Sequence, residues 1–330
     1  MHMADALVVP AVAGTMYALS TGTAAYSIRR VRLEQDEKKI PVMGVMGAFV
    51  FAAQMINFTI PGTGSSGHLC GSMLLSAILG PFAGFLTMIG ILLIQCLLFA
   101  DGGLLALGCN VWNMAFYGCF IGSFLIWKPI MRKGFSRAKI MAASIIGCIL
   151  CLQLGAFSVT IETLLSGVTE LPFSAFVLFM QPIHLAIGLV EGLITASVLI
   201  FVYEARPTLL WTGNTASGKE KMSAKKVTAI LAIAAAFIAG IFSLFASALP
   251  DGLEWSIERI TGSTEISRTT SLGEAVSGIQ EATALLPDYA FKSSESTFGT
   301  SFSGIVGGLI VVALCVGFCY LIKLRNRKHK

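Results

Sequence analysis

The first two residues of the chain, Met1 and His2, carry three nitrogen atoms that could bind a single metal ion. The terminal amine and the His2 amide nitrogen would close a five-membered chelate ring, and the amide nitrogen and imidazole Nδ1 a six-membered ring. These rings hold three nitrogens in one plane once the amide has lost its proton. Ni²⁺ and Cu²⁺ accept square-planar nitrogen sets, whereas Zn²⁺ prefers a tetrahedron and Mg²⁺ and Ca²⁺ prefer oxygen.

A fourth nitrogen is needed to complete the plane, and the other histidines are His68, His184 and His329. His329 lies in the C-terminal basic tail, and His184 lies within a long apolar segment. His68 ends a glycine-rich stretch that starts at Pro61, and its glycines allow a sharply folded backbone. We therefore predict a metal site made of Met1, His2 and His68.

The composition indicates the setting of this site. The chain has 330 residues, of which 55% are hydrophobic and 12% charged, against about 25% charged residues in soluble domains. Its apolar runs reach the roughly 20 residues that a membrane-spanning helix requires. We predict an all-α polytopic membrane protein without a nucleic-acid partner. The cysteines, including Cys148 and Cys151, are expected to pack as apolar residues, since no basic neighbour stabilises a thiolate.

Basic segments set the expected topology. By the positive-inside rule they lie in the cytoplasm, which leaves the N-terminus outside and the C-terminus inside. The four basic segments are 29–39, 128–139, 219–226 and 323–330. Proline breaks one long apolar run at Pro81. The predicted helices are 8–28, 41–58, 69–79, 82–99, 104–127, 139–165, 178–204, 227–248 and 303–322.

These helices divide into two groups. We predict a seven-helix body over residues 1–205, a cytoplasmic linker over 206–226 and a two-helix module over 227–330. The polar segment 250–299 between the last two helices is then a large exterior loop, and its excess of acidic side chains could concentrate cations.

Several polar residues at membrane depth have two interpretations. His184 and Glu191 share a face of the seventh predicted helix. Ionisable groups inside a membrane are costly and often functional, so these two could form the proton or ion path of a self-contained secondary transporter. Asp5 could cap the first helix or hold the N-terminal segment. Neutral amides could orient the metal-binding loop or only link helices: Gln54, Asn57, Asn110 and Asn113.

One segment approaches a phosphate-binding loop. Residues from Gly213 to Lys219 have suitable glycines and a lysine, but Glu220 stands where Ser or Thr must hold Mg²⁺. We therefore expect no ATPase in this chain and no enzymatic activity.

Several segments resemble one transporter family. The first eight residues are similar to the start of NikM, the nickel-specific substrate-binding component of energy-coupling-factor transporters, and 58–68 resembles the ligand-bearing loop of that family. Segments 101–110 and 191–195 are similar to others of its segments. Pro250 to Trp255 and Pro287 to Phe291 resemble NikN, so the chain resembles a NikM–NikN fusion of the CbiM/NikM family.

The resemblance implies a function. It implies a substrate-binding (S) component of an ATP-driven importer in a prokaryotic plasma membrane, with Ni²⁺ as the transported substrate and Co²⁺ as the alternative. Its ligands would be the Met1 amine, the His2 amide and imidazole, and His68, with no organic cofactor. Its partners would be a transmembrane coupling (T) component, cytoplasmic ABC-type ATPases and membrane lipid. A self-contained secondary divalent-cation transporter stays the alternative of another class.

Overall fold

The computed structural model describes residues 1–33, 39–212, 220–267, 271–292 and 298–327, and it is an all-α structure with one small hairpin. The phosphate-loop-like segment from Gly213 to Lys219 lies outside these residues. The hairpin strands are β1 (Phe58–Ile60) and β2 (Ser65–Gly67). The helices are α1 (Pro10–Leu33), α2 (Lys39–Gln54), α3 (Ser72–Leu79), α4 (Pro81–Phe99), α5 (Leu107–Met131), α6 (Arg137–Leu165), α7 (Phe173–Ala205), α8 (Ala224–Gly240), α9 (Gly252–Thr261), α10 (Ser271–Thr283) and α11 (Phe298–Arg327).

The fold is that of a polytopic membrane protein. Five helices in the described part of the chain, α4, α5, α6, α7 and α11, are long and apolar enough to cross a bilayer. Large apolar side chains point outward along these and neighbouring helices, among them Leu178 and Ile233, which are 67% and 70% exposed. Such side chains suit contact with lipid, where exposure of apolar surface carries no penalty.

Close helix packing is strongest between α6 and α7. A Cβ atom added at Gly192 of α7 would lie 2.6 Å from the Ile145 Cα of α6, and one at Gly188 would lie 2.9 Å from the Ile149 Cα. Small residues at these positions let the two backbones approach, as is common in membrane bundles. This pairing fixes α7, which carries His184 and Glu191, within the body.

The region around His68 differs from the prediction. The second predicted helix, 41–58, ends at Gln54, because Phe58 to Ile60 pair with β2 instead. The predicted helix 69–79 begins only at Ser72, after Gly71 adopts a left-handed conformation with φ of 80°. Its eight residues extend about 12 Å, too little to cross the membrane alone.

The second group of long helices, α8 and α11, packs against α2 of the body. Between them, α8 ends at Gly240 rather than at 248, and the predicted exterior loop contains the helices α9 and α10. This segment lies over the end of the bundle at which residues 1–9, the β1–β2 hairpin and the turn 100–106 meet. We call that end the site face. The basic turn between α5 and α6 lies at the opposite end.

Candidate metal centre

The N-terminal segment is folded into the bundle. Met1 is 4% exposed and Met3 is fully buried. The Met3 N–H donates to Asn110 Oδ1 at 2.7 Å, and the Met3 carbonyl accepts from Asn110 Nδ2 at 3.1 Å. The same carbonyl accepts from the Gly103 N–H at 2.8 Å. Both polar groups of the Met3 backbone are thus satisfied, which holds the two preceding residues in place.

Asp5 holds the N-terminal segment and does not cap α1. Its Oδ1 accepts a hydrogen bond from the Ala106 N–H at 3.0 Å, and α1 begins only at Pro10. Gly103 permits this approach, because an added Cβ would lie 1.8 Å from Asp5 Oδ1 and 2.5 Å from its backbone nitrogen. Of its two predicted roles, capping the first helix or holding the N-terminal segment, Asp5 therefore has the latter.

The terminal amine meets His68. The Met1 nitrogen lies 3.0 Å from His68 Nε2, although the two residues are 67 positions apart. His68 Nδ1 lies 3.1 Å from the Leu69 carbonyl oxygen. Because a carbonyl only accepts, Nδ1 carries the ring proton and Nε2 directs a lone pair towards the amine.

The His2 ring lies beside that of His68. The two imidazoles are stacked, with centroids 5.1 Å apart and planes inclined by 21°. His2 Nδ1 lies 3.1 Å from Asp101 Oδ1, and Nε2 lies 3.2 Å from Gln95 Oε1. Burial lowers the pKa of His2 from 6.5 to about 4, against the opposing effect of the Asp101 carboxylate. The ring is therefore neutral at physiological pH.

Asp251, from the segment between α8 and α11, completes the cluster. Its Oδ2 is in contact with the Met1 amine and lies 3.7 Å from His68 Nε2. Its Oδ1 caps α9, accepting from the N–H groups of Leu253 and Glu254 at 2.7 and 3.0 Å. Burial by itself would raise the pKa of Asp251, but contact with the charged Met1 amine holds it well below its usual range.

The β1–β2 hairpin, which precedes His68, is hydrogen-bonded to the segment between α8 and α11 that carries Asp251. The Ser66 N–H donates to the Pro250 carbonyl at 2.8 Å, and the Trp255 indole N–H donates to the Thr63 carbonyl at 3.0 Å. On the His2 side, the Tyr289 hydroxyl donates to Asp101 Oδ2 at 2.5 Å. Two parts of the predicted exterior loop thus contact the two segments that surround the N-terminus.

Beneath His68, the backbone is held by Glu191. Its two carboxylate oxygens accept from the N–H groups of Cys70 and Gly71, each at 2.9 Å. Gln54 donates to the Cys70 carbonyl at 2.7 Å and accepts from Gln95 at 2.9 Å. Two of the amides identified in the sequence, Gln54 and Asn110, therefore do orient the loop and the N-terminus.

The remaining candidates lie elsewhere. Asn113 donates to Glu162 at 2.7 Å between α5 and α6, and Asn57 lies beyond the end of α2. His184 is fully buried on α7, below the site. In the described part of the chain, no group of three or more His, Cys, Asp or Glu residues could hold a metal ion by side chains alone. A site at the N-terminus would depend on backbone nitrogens.

Three polar neighbours of the predicted ligands were missed: Gln95, Asp101 and Asp251. Gln95 lies on an apolar helix, where nothing in the local pattern relates it to His2. Asp101 begins the segment 101–110, which resembles a segment of the transporter family. Asp251 belongs to a noted motif that lies 250 residues from Met1. The excess of acidic side chains in segment 250–299 was the signal in the sequence that could have related Asp251 to a cation site.

An open cavity of about 650 Å³ connects the cluster with the surface. Its lining includes His2, Asp101, Asp251, Glu254 and Asp288. We call this cavity the vestibule. Its carboxylates give it a negative potential that favours the approach of cations.

Comparisons with known proteins agree with this architecture. The family model CbiM, described as a cobalt uptake substrate-specific transmembrane region, matches residues 2–209. A PDGLE domain matches residues 225–324.

Individual relatives point to metal transport. The chain is 37% identical over 315 residues to a putative fused nickel transport protein NikMN of Archaeoglobus fulgidus, covering 95% of this chain and 96% of that protein. It is 33% identical over 192 residues to the cobalt transport protein CbiM of Sorangium cellulosum, covering 56% and 83%. A crystal structure of a truncated transition metal transporter matches 62% of this chain and 99% of its own, with 30% identity and a TM-score of 0.55.

Proposed function

Because the chain belongs to the CbiM family of metal-transport proteins, we propose that it is the substrate-binding component of an energy-coupling-factor importer for Ni²⁺. It is a membrane protein related to nickel and cobalt transport proteins, not to enzymes. The observation that carries the proposal is the buried contact between the Met1 amine and His68 Nε2 at 3.0 Å. That contact brings together nitrogens from two distant parts of the chain.

The proposed ligands are the Met1 amine, the His2 amide nitrogen, His2 Nδ1 and His68 Nε2. Two contacts must be exchanged when the ion binds. The amine leaves Asp251 so that its lone pair faces the ion, and His2 Nδ1 leaves Asp101. The amine and the His2 amide each release a proton to water. The His2 ring is neutral, and as Nδ1 leaves Asp101 its proton moves through water to Nε2, where Gln95 Oε1 can accept it. The proton on His68 Nδ1 already leaves a lone pair on His68 Nε2.

Nickel is proposed because four nitrogens in one plane suit Ni²⁺ better than Zn²⁺. The relatives that match nearly the whole chain, including the fused protein of Archaeoglobus fulgidus, are named for nickel transport. Of the relatives that match mainly the first module, some are named for cobalt transport, including the protein of Sorangium cellulosum. Co²⁺ is therefore the competing substrate, and the binding experiment compares the two ions.

Transport is proposed to proceed from the site face to the basic end. The positive-inside rule supports an exterior site face and a cytoplasmic C-terminus, and the archaeal and bacterial relatives support a prokaryotic plasma membrane. The acidic vestibule would then collect cations outside the cell. Energy would come from a transmembrane coupling subunit and cytoplasmic ABC-type ATPases.

The rival function, a self-contained secondary transporter, relied on His184 and Glu191. Both oxygens of Glu191 accept backbone hydrogen bonds, which supports a role in holding the His68 loop. Uptake measurements separate the two functions. Uptake that persists without an ATPase and stops with a proton uncoupler would favour the rival.

The binding experiment uses the purified full chain. We expect one bound Ni²⁺ with a diamagnetic, square-planar spectrum and weaker binding of Co²⁺. His2→Ala and His68→Ala should each reduce the affinity by at least about 100-fold, since loss of outer-shell partners alone costs 10–100-fold. His329→Ala is the matched control, because the sequence puts that histidine in the basic tail. Native affinity in His68→Ala would refute the proposed site.

A further inference from the structure

A small cavity lies directly behind the candidate site. It holds about 10 Å³, which is room for about one water molecule. Its lining includes Met1, His68 and Asp251 from the site and His184 from α7. His184 is fully buried and lies eleven residues after the start of α7 at Phe173, about 16 Å along the helix axis.

The His184 ring is held by one nitrogen and free at the other. Nδ1 lies 2.8 Å from the Met180 carbonyl oxygen, so this nitrogen carries the ring proton. The opposite nitrogen, Nε2, is buried and has no hydrogen-bond partner in the described part of the protein. Buried polar atoms are nearly always paired in native structures, so an unpaired lone pair beside a metal site calls for a ligand.

A second cavity continues the first into the bundle. It also holds about 10 Å³, and it shares Met1, Cys70, Met114 and Leu152 with the first. Its far side is lined by Cys148, Cys151 and Glu191. Glu191 lies seven residues beyond His184 on α7, about 10 Å further along the helix. The two neighbouring cavities thus extend from Met1 and His68 to Glu191, and His184 lines the first of them.

An ion that leaves the N-terminal site inward needs a new ligand at once. A divalent cation stripped of donors in a low-dielectric interior is strongly destabilised. Conduction through such a region therefore requires a succession of sites, each close enough to accept the ion before the previous one releases it. A neutral imidazole nitrogen is a suitable donor for Ni²⁺ and Co²⁺.

We propose that His184 Nε2 takes the metal ion from the N-terminal site as the first step of inward release. The inference rests on the proposed import function. As the bond from the ion to His68 Nε2 breaks, a bond to His184 Nε2 forms. The bonds from the ion to the Met1 amine, the His2 amide and His2 Nδ1 then break. The amide and the amine each take up one proton from water, the amine returns to Asp251 and His2 Nδ1 returns to Asp101. No electron is transferred. His184 is thus a transit ligand, distinct from the resting set Met1, His2 and His68.

Two substitutions separate ligand chemistry from packing. His184→Asn keeps an amide N–H at the Nδ1 position, where it can donate to the Met180 carbonyl, but has no atom at the Nε2 position. His184→Gln places an amide oxygen near the Nε2 position, and this oxygen can still bind a metal ion weakly. Gln181→Ala is the matched control: Gln181 lies on the same helix and bonds to α6, but it does not line the cavity.

The test combines two measurements. Equilibrium Ni²⁺ binding and the absorption spectrum are recorded on the purified full chain, and the uptake rate of radioactive Ni²⁺ is recorded in cells in which the wild-type transporter is active. We expect His184→Asn to lower the maximal uptake rate at least tenfold while its binding affinity stays within about twofold of the wild type, the pattern of a lost transition-state contact. His184→Gln should retain more uptake than His184→Asn, and Gln181→Ala should match the wild type in both measurements.

Two results would overturn the inference. Wild-type uptake by His184→Asn would mean that Nε2 takes no part in transport. Parallel loss of affinity and uptake would make His184 part of the resting site or its support. Melting temperature and gel filtration identify a misfolded variant, in which case the affinity and uptake of His184→Gln decide by the same criteria. Failure of the proposed function is seen separately, because wild-type protein would then bind Ni²⁺ independently of His2 and His68.

Discussion

Lengthening the chain at its N-terminus is the most direct test of the metal site. Two residues, alanine and glycine, are added before Met1 so that the new terminal amine belongs to the alanine. At 3.3–3.6 Å per residue, the amine moves along the chain by up to about 7 Å. A metal–nitrogen bond is only about 2.0–2.1 Å long, and the present amine lies 3.0 Å from His68 Nε2 in a site where Met1 is 4% exposed. The moved amine can no longer share an ion with His68.

The expected loss follows from the donors that remain. His2 and His68 keep their imidazoles, but the five-membered ring of the original amine is gone. We expect Ni²⁺ affinity to fall at least 1,000-fold, which corresponds to about 4 kcal/mol. Metal content of the purified protein and competition with a chelator of known affinity measure the change. Affinity within tenfold of the unmodified chain would refute the reasoning.

A one-residue extension is an informative control. With a single alanine before Met1, the new amine, two amide nitrogens and the His2 imidazole can complete a planar four-nitrogen set by themselves. We expect this protein to bind Ni²⁺ without His68, so that His68→Ala has no further effect. In the unextended chain the same substitution should lower the affinity by at least about 100-fold, and the contrast isolates the role of His68.

Three further predictions follow from the surroundings of the site. Gly103→Ala should destabilise the N-terminal segment by about 1–3 kcal/mol and weaken Ni²⁺ binding in a chelator competition, because its Cβ would clash with Asp5, whereas Gly14→Ala, whose Cβ meets no atom within 4 Å, should not. The pKa of His2 is about 4 in the folded protein and 6.5 in the unfolded chain, so between these pH values only the unfolded chain is protonated there. The free energy of unfolding of the metal-free protein should therefore rise by about 3 kcal/mol as the pH increases from 4 to 6.5. In His2→Gln, the melting temperature should rise less over the same pH range. Asp251→Ala should lower the melting temperature more than Asp251→Asn, because asparagine keeps the cap of α9 and alanine loses about 1 kcal/mol there; equal effects would contradict the capping role.

Much of the fold could be predicted because its signals are local. Apolar length, the proline at Pro81 and the basic segments predict spanning helices and their alternation, and five such helices are present in the described residues. The boundaries around His68 could not be predicted in this way. Where α2 stops and α3 starts depends on the pairing of β1 with β2 and on the bonds from Glu191 to Cys70 and Gly71.

The proposed ligands were predicted from the sequence because chelation by an amine, an amide and an imidazole is a property of two adjacent residues. That Met1 and His2 lie close to His68 was a prediction that depended on the fold. In the structure the Met1 amine lies 3.0 Å from His68 Nε2. Asp101 and Asp251 were not predicted as its partners. A residue of one module can be related to the first residue of the chain only after the helices have packed.

The sequence by itself thus determined the donor types, the membrane setting and the division of polar and apolar segments, since each follows from the chemistry of neighbouring residues. Only the tertiary structure decided which carboxylate holds the amine, which way the His2 ring faces and that His184 lies behind the site. These features depend on contacts between segments that are far apart in the chain. Such contacts arise when the helices pack, and the local sequence of one helix does not specify which other helix it will contact.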